Sequence, residues 1–144
     1  MFVVDTNILV YAVNQNSAVH EPCRELLSHY RSQTEPWYLT WGIIYEFLRV
    51  STHPRVFPKP LSLRSAWTFL DAVLASPAAG VLQERPRHWE LLKEATAEVP
   101  SLAGNLLHDA HTAILMREHG IRRIYTRDAH FRRFPFVEVI DPLS

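Results

Sequence analysis

The chain has 144 residues, 47 % hydrophobic and 21 % charged, which excludes a disordered polymer and suits one globular domain over residues 1–144. Its 15 basic residues balance 15 acidic ones, so no global field draws it to nucleic acid or to an anionic membrane, and a nucleic-acid partner has to be held by local patches. One cysteine, Cys23, excludes an internal disulfide and a four-cysteine metal cage, and suits a reducing compartment.

The opening MFVVDTNILVYAV lacks a basic leader, and Asp5 and Asn7 interrupt its apolar run. No stretch reaches the roughly 18 apolar residues of a membrane span, so a soluble cytoplasmic protein is expected. Phe2 to Val4 reads as a short buried strand ending at Asp5, and Asn7 to Val13 as one or two helical turns. Ser17 to Ser32 has a helical stripe of Cys23, Leu26, Leu27 and Tyr30. Trp37 to Thr40 is a second strand, running into a helix from Trp41 to Ser51. His53 to Pro60 carries three prolines and forms a loop of no assigned role.

Leu63 to Ala75 is helical, with Trp67, Leu70 and Leu74 at core spacing, and Gly80 to Leu82 is a candidate third strand. Arg87 to Glu98 follows as a helix with Pro86 at its first position. Asn105 to His119 is another, stopped by Gly120. Ile121 to Thr126 is a strand, Ala129 to Arg133 a helical turn, and Phe136 to Ile140 the last strand. Alternating strands and helices with apolar strands predict a doubly wound α/β fold, a parallel sheet flanked by helices on both faces.

Such folds bind ligands beyond the carboxyl ends of their strands. Asp5 ends the first strand and Asp128 lies two residues past the fourth, so parallel strands bring both to one edge. Asp5 equally reads as the cap of the next helix, and the two roles can coexist. Asp109 falls about 60° from Leu106 on a helical wheel, at the border of a buried stripe of Leu106, Ala110, Ala113 and Ile114, with Asn105 and Thr112 on its flank. It reads as a cleft acid or as a half-exposed surface acid. Glu46 shares a polar strip with Gly42 and Arg49. It reads as a solvent-facing partner of Arg49 or, on a helix otherwise apolar and surrounded by protein, as a residue opening into a cleft.

Clustered carboxylates suit Mg²⁺ or Mn²⁺, which offsets phosphate charge and activates water for phosphodiester hydrolysis. A zinc site from His108, His111 or His130 is disfavoured: no pair has zincin spacing, and His108 and His111 point away from the Asp109 flank. Arg122, Arg123, Arg127, Arg132 and Arg133 crowd around Asp128, interleaved by Phe131 and Phe134. They form either a phosphate-holding segment or an ordinary solvated face, and Arg49 belongs to a second basic rim.

The order VVDTNILVY, YEF, HDAHTA and YTRDAHF resembles the PIN-domain family, and within it the ribonuclease toxins of VapBC toxin–antitoxin systems, from Phe2 to Ile140. That resemblance implies a three-layer PIN-like fold and Mg²⁺- or Mn²⁺-dependent endonucleolytic cleavage of RNA. It makes Asp5, Glu46, Asp109 and Asp128 the catalytic and metal-holding acids, supported by Thr6, Asn7 and Thr126. Arg127, Arg132 and Arg49 are the candidate RNA contacts. It further implies a homodimer and a small VapB-type antitoxin covering the cleft. The alternatives are a catalytically silent PIN-like module that binds RNA or protein, and a phosphotransfer domain of receiver or haloacid-dehalogenase type. The latter wants a second acid beside Asp5 and a placed lysine, and only Lys59 and Lys93 exist.

Overall fold

The computed structural model describes residues 1–144 as five strands and six α-helices. In chain order these are β1 (Phe2–Val4), α1 (Thr6–Val13), α2 (His20–Ser32), β2 (Trp37–Thr40), α3 (Trp41–Ser51), α4 (Leu63–Leu74), β3 (Ala79–Leu82), α5 (His88–Glu98), α6 (Leu106–Glu118), β4 (Arg123–Tyr125) and β5 (Glu138–Ile140), with a 3₁₀ turn at Ala129–Arg133. Every strand pair is parallel, in the order β3-β2-β1-β4-β5. The expected α/β fold is therefore present, with a five-stranded sheet flanked by the helices. Strand order reverses at β1, between β2 on one side and β4 on the other, and that is where a crevice opens at the carboxyl edge.

β1 is buried throughout, as a central parallel strand covered on both faces must be. Its residues belong to one apolar cluster of 29 buried side chains. Gly120, at φ +68°, ends α6 as expected: its N–H reaches Arg117 O at 3.3 Å, while Ile121 N–H reaches Met116 O at 2.8 Å. These are the two bonds of a Schellman stop, and they take Ile121 out of β4. The last strand likewise begins at Glu138 rather than Phe136, and α2 at His20 rather than Ser17. No helix is long and apolar enough to cross a membrane.

Four expectations need correction. On α4 the buried stripe is Ala66, Leu70 and Val73, while Trp67 is exposed; both sets have helical spacing, and the smaller one fits against the core. Pro86 precedes the Arg87 cap of α5 and is outside the helix. From Thr112 to Met116, α6 is buried on all sides rather than along one stripe, and Leu106 is only half-buried, because α3, α5 and the 3₁₀ turn all pack on α6. Nor is α3 surrounded by protein: Trp41 and Tyr45 are 47 % and 70 % exposed. The Pro-rich loop is pinned from within by Phe57, which is buried.

Candidate active site

Asp5 leaves β1 still bonded to the sheet, its N–H donating to Tyr125 O at 3.0 Å. Its side chain then caps α1, Oδ1 accepting from Thr6 N–H at 2.7 Å. Oδ2 accepts from the Thr126 hydroxyl at 2.7 Å and from Asn7 Nδ2 at 3.3 Å. Cap and site residue are thus the same side chain. Three of a carboxylate's roughly four acceptor positions are used, which leaves room for one more donor or a cation.

Thr126 is the hub. Fully buried, its hydroxyl donates to Asp5 and accepts from Asn7 Nδ2 at 3.0 Å and from Asp128 N–H at 2.9 Å. One hydroxyl has one donor and two acceptor positions, so Thr126 is saturated. Asn7 completes the lattice, its Oδ1 accepting from Arg127 N–H at 3.4 Å. Asp128 in turn caps the 3₁₀ turn, Oδ1 accepting from His130 N–H at 2.9 Å.

Asp109 enters from the first turn of α6. That helix is tied to α3 through Thr112 and Thr40, whose hydroxyls are 3.5 Å apart, and Thr40 caps α3 through Ile43 N–H at 3.1 Å. Thr6 reaches the same helix, its hydroxyl donating to Ile43 O at 3.5 Å. Four elements therefore close on one cleft of about 580 Å³ with only two apolar lining residues, Ile43 and Phe131. Asp5, Glu46, Asp109 and Asp128 all line it, with Thr6, Asn105 and Thr112.

The four acids are not equivalent. One ligand atom from each of Asp109, Asp128 and His130 lies within 4.8 Å of the others. Asp5 stands beside this group. Its burial pushes its carboxyl up to about 6, against the lowering effect of Thr126 and Thr6, and Asp109 and Asp128 add to the rise. Asp109 is also raised to about 6, by burial first and then by Asp128. Neither Asp5, Asp109 nor Asp128 pairs with an arginine or lysine. Glu46 instead sits on the rim, its carboxylate gripped by Arg49 at 2.6 and 3.0 Å, which holds it below the usual carboxylate range. Both readings of Glu46 thus hold in part: it lines the cleft while paired to Arg49.

The histidines were misplaced by the helical wheel. His108 and His111 line the cleft beside Asp109 instead of pointing away from it, because the cleft wraps around the exposed first turns of α6. His130, disfavoured as a ligand from the sequence, has its Nδ1 3.2 Å from Asp128 Oδ1. Its only sequence signal is the spacing from Asp128. The basic segment is divided: Arg123 pairs with Glu35 at the amino edge of the sheet, remote from the acids, and Arg127 pairs with Asp141 at 3.5 Å. Arg132 and Arg133 are exposed, and of the candidate RNA contacts only Arg49 lines the cleft.

A parallel sheet with this order and an acidic crevice at its switch point defines the class, and the chain belongs to the PIN domain family, whose pattern matches residues 2–137. Among its relatives is ribonuclease VapC43 of Mycobacterium tuberculosis, 37 % identical over 144 residues that span 100 % of this chain and 97 % of the relative. Ribonuclease VapC48 of the same organism is 31 % identical over 140 residues, 97 % and 96 % of the two chains. In shape the chain is similar to the crystal structure of VapC20 from M. tuberculosis, described as a sarcin-ricin loop cleaving toxin. That pair has a TM-score of 0.68 and 22 % identity over 96 % and 98 % of the chains, a likeness of fold. A VapBC2 structure from Rickettsia felis, bound to a promoter DNA fragment, gives a TM-score of 0.64 at 18 % identity over 96 % of each chain.

Proposed function

We propose that residues 1–144 act as one PIN-type unit, a cytoplasmic metal-dependent endoribonuclease that serves as the toxin of a VapBC-type pair. The observation that carries this reading is the convergence of Asp5, Asp109 and Asp128 on one polar cleft with no arginine or lysine paired to them. Two carboxyls held near 6 by burial and mutual repulsion are an electrostatic deficit that a divalent cation removes. The donors are hard oxygens, which suit Mg²⁺ or Mn²⁺. Asp109, Asp128 and Asp5 would hold the ion, with Glu46 on the rim. When bound, it supplies positive charge against the phosphate and makes water a better nucleophile at neutral pH.

The chain's own groups do the positioning. Thr126 and Asn7 fix Asp5 Oδ2, and the same hydroxyl fixes the backbone of Asp128, so the spacing of these two acids is preset before substrate arrives. Arg49, exposed beside the cleft, offers its guanidinium to the RNA backbone while orienting Glu46, and Arg127 and Arg132 extend that contact. Specificity then falls to unpaired bases read by the surrounding surface.

A small VapB-type antitoxin fits the exposed face of α3, where Trp41 and Tyr45 flank the cleft-lining Gly42, Ile43 and Glu46. Its basic side chain would answer the unpaired acids, and the toxin itself forms a homodimer. The test is cleavage of single-stranded RNA by purified, chelator-treated protein. Activity restored by Mn²⁺ or Mg²⁺ in the wild type and absent from a folded Asp5→Asn variant supports the reading. Equal activity in that variant overturns the mechanism. RNA binding without any cleavage would instead favour the silent module.

A further inference from the structure

Next to the acidic cleft, on the other side of His111, a second set of ligand-type side chains converges. Glu84 comes from the segment after β3, His88 from the first turn of α5 and His111 from the middle of α6. One ligand atom from each lies within 4.8 Å of the others. We infer that Glu84, His88 and His111 form a separate site for a borderline transition-metal ion, with Zn²⁺ as the representative.

The donor types favour this class of ion. Two imidazoles and one carboxylate suit Zn²⁺, Co²⁺ or Ni²⁺, whereas Mg²⁺ prefers all-oxygen ligands and retains its water. Two protein imidazoles and a carboxylate also leave a coordination position open.

The surroundings prepare the ligands. His88 Nδ1 lies 2.7 Å from Glu118 Oε2, and the Glu118 side chain is only 1 % exposed. A buried carboxylate this close makes Nδ1 the donor and leaves the His88 Nε2 lone pair free. That is the carboxylate–histidine–metal arrangement in which an outer acid sets the tautomer and raises ligand basicity. Glu118 is held in turn, its Oε1 accepting from Arg85 N–H at 3.2 Å. The Arg85 guanidinium is directed to His119 Nδ1, 3.2 Å away, so it does not neutralise Glu84. A surface histidine–glutamate pair alone would not account for this buried second carboxylate.

The third ligand is seated as carefully. His111 Nε2 lies 2.6 Å from Glu84 Oε1, and its ring meets that of His88 edge to face, centroids 5.6 Å apart at 82°. Its Nδ1 faces Gly42, where even a Cβ atom would come within 3.2 Å. Glycine at 42 thus leaves the ring its place. Metal bonds of about 2.0–2.1 Å put donor atoms of a tetrahedral ion roughly 3.3 Å apart. Glu84 Oε1 and His111 Nε2, 2.6 Å apart, then separate by a fraction of an ångström. An ion there clips the segment after β3 and the start of α5 to α6, the helix that carries Asp109.

The experiment uses chelator-treated full-length protein in millimolar Mg²⁺, which occupies the oxygen-rich acids, titrated with Zn²⁺ by calorimetry and with Co²⁺ by visible absorption. The expected result is one Zn²⁺ bound with micromolar or tighter affinity, and Co²⁺ ligand-field bands. Glu84→Gln and His88→Gln should each weaken binding at least tenfold and lose those bands, while His130→Ala keeps both. At a hundredfold excess over Kd, Zn²⁺ should raise the wild-type melting temperature by about 5–10 °C. Glu84→Gln alters a half-exposed side chain and guards against a folding defect in the His88 variant. No Zn²⁺ binding by the wild type overturns the inference. So does binding that survives both substitutions but disappears in His130→Ala, since the ion then sits with Asp109 and Asp128. These outcomes do not depend on whether the protein cuts RNA.

Discussion

The two edges of the sheet treat carboxylates in opposite ways. At the amino edge, Glu35 accepts from the Met1 amino group at 2.8 Å and from the Arg123 guanidinium, and these contacts hold its carboxyl below the usual range. At the carboxyl edge, Asp5 is buried and Asp109 half-buried beside further acids with no arginine or lysine partner, and both rise to about 6. The first arrangement favours the folded, ionised chain. The second opposes it and can be relieved only from outside. A charge that folding leaves unsatisfied marks where a ligand is awaited.

The sharpest way to break this contrast is catalytic. Asp109→Asn should lower metal-dependent RNA cleavage by two to three orders of magnitude, the scale associated with losing one preorganised charge-stabilising group. Glu35→Gln should leave it unchanged. Initial rates at saturating Mn²⁺ compare the two. Comparable losses would mean that the carboxyl edge is not special.

The hub comes next. Thr126→Val keeps the shape but takes one hydrogen-bond partner each from Asp5, Asn7 and the Asp128 amide, each buried or half-buried. Urea denaturation should show a loss of about 2–4 kcal/mol, and Thr126→Ser should recover most of it. A neutral valine variant would show that water replaces the hydroxyl.

A smaller effect tests the sign of the unpaired charge. An acid whose folded pKa is raised makes the folded state hold its proton longer, so its contribution declines as pH rises from about 4 to about 6. In chelator, Asp109→Asn should therefore melt like the wild type near pH 4 and higher above pH 6, by about 1–2 kcal/mol after allowance for solvent screening. Mn²⁺ at pH 7 should shrink that gap. A gap constant across the range would disconnect it from ionisation.

The smallest effect lies at the amino edge. The Glu35 pair is partly exposed, so Glu35→Gln should destabilise by at most about 1 kcal/mol. Because this carboxyl is lowered, the loss should be present above pH 5 and fade as pH falls through the folded pKa. High salt should diminish it as well.

Much of this division was legible before any coordinates. Apolar triplets ending in Asp5, and a strand followed by Asp128, place two acids on one edge as soon as the strands are parallel. The placement of Asp109 at a helix border needed only periodicity. What escaped was what depends on neighbours far along the chain. Periodicity names the faces of a helix but not how many are covered, so Trp67 reads as core and α3, with its exposed Trp41 and Tyr45, as surrounded by protein. Five arginines close in sequence looked like one patch, yet strand β4 separates them, sending Arg123 to one edge and Arg127 to the other. His111 meets Glu84, 27 residues away, which nothing local announces, and His130 joins Asp109 only because the 3₁₀ turn packs on α6. The hydroxyl at Thr126 had its place through family likeness, whereas its bonds to Asp5 and Asn7 follow only from pairing β1 with β4.

The span of that pairing has its own consequence. The Thr126–Asp5 bond joins positions 121 residues apart, and the sheet register that permits it runs from Phe2–Arg123 to Val4–Tyr125. Closing so long a loop is among the slower events available to a chain of this length. While the polypeptide is being synthesised, β1 emerges first and has no β4 to meet, so Asp5 is displayed without Thr126 or Asp128. The nascent chain therefore has no assembled acidic site until β4 and the turn that follows it have been synthesised.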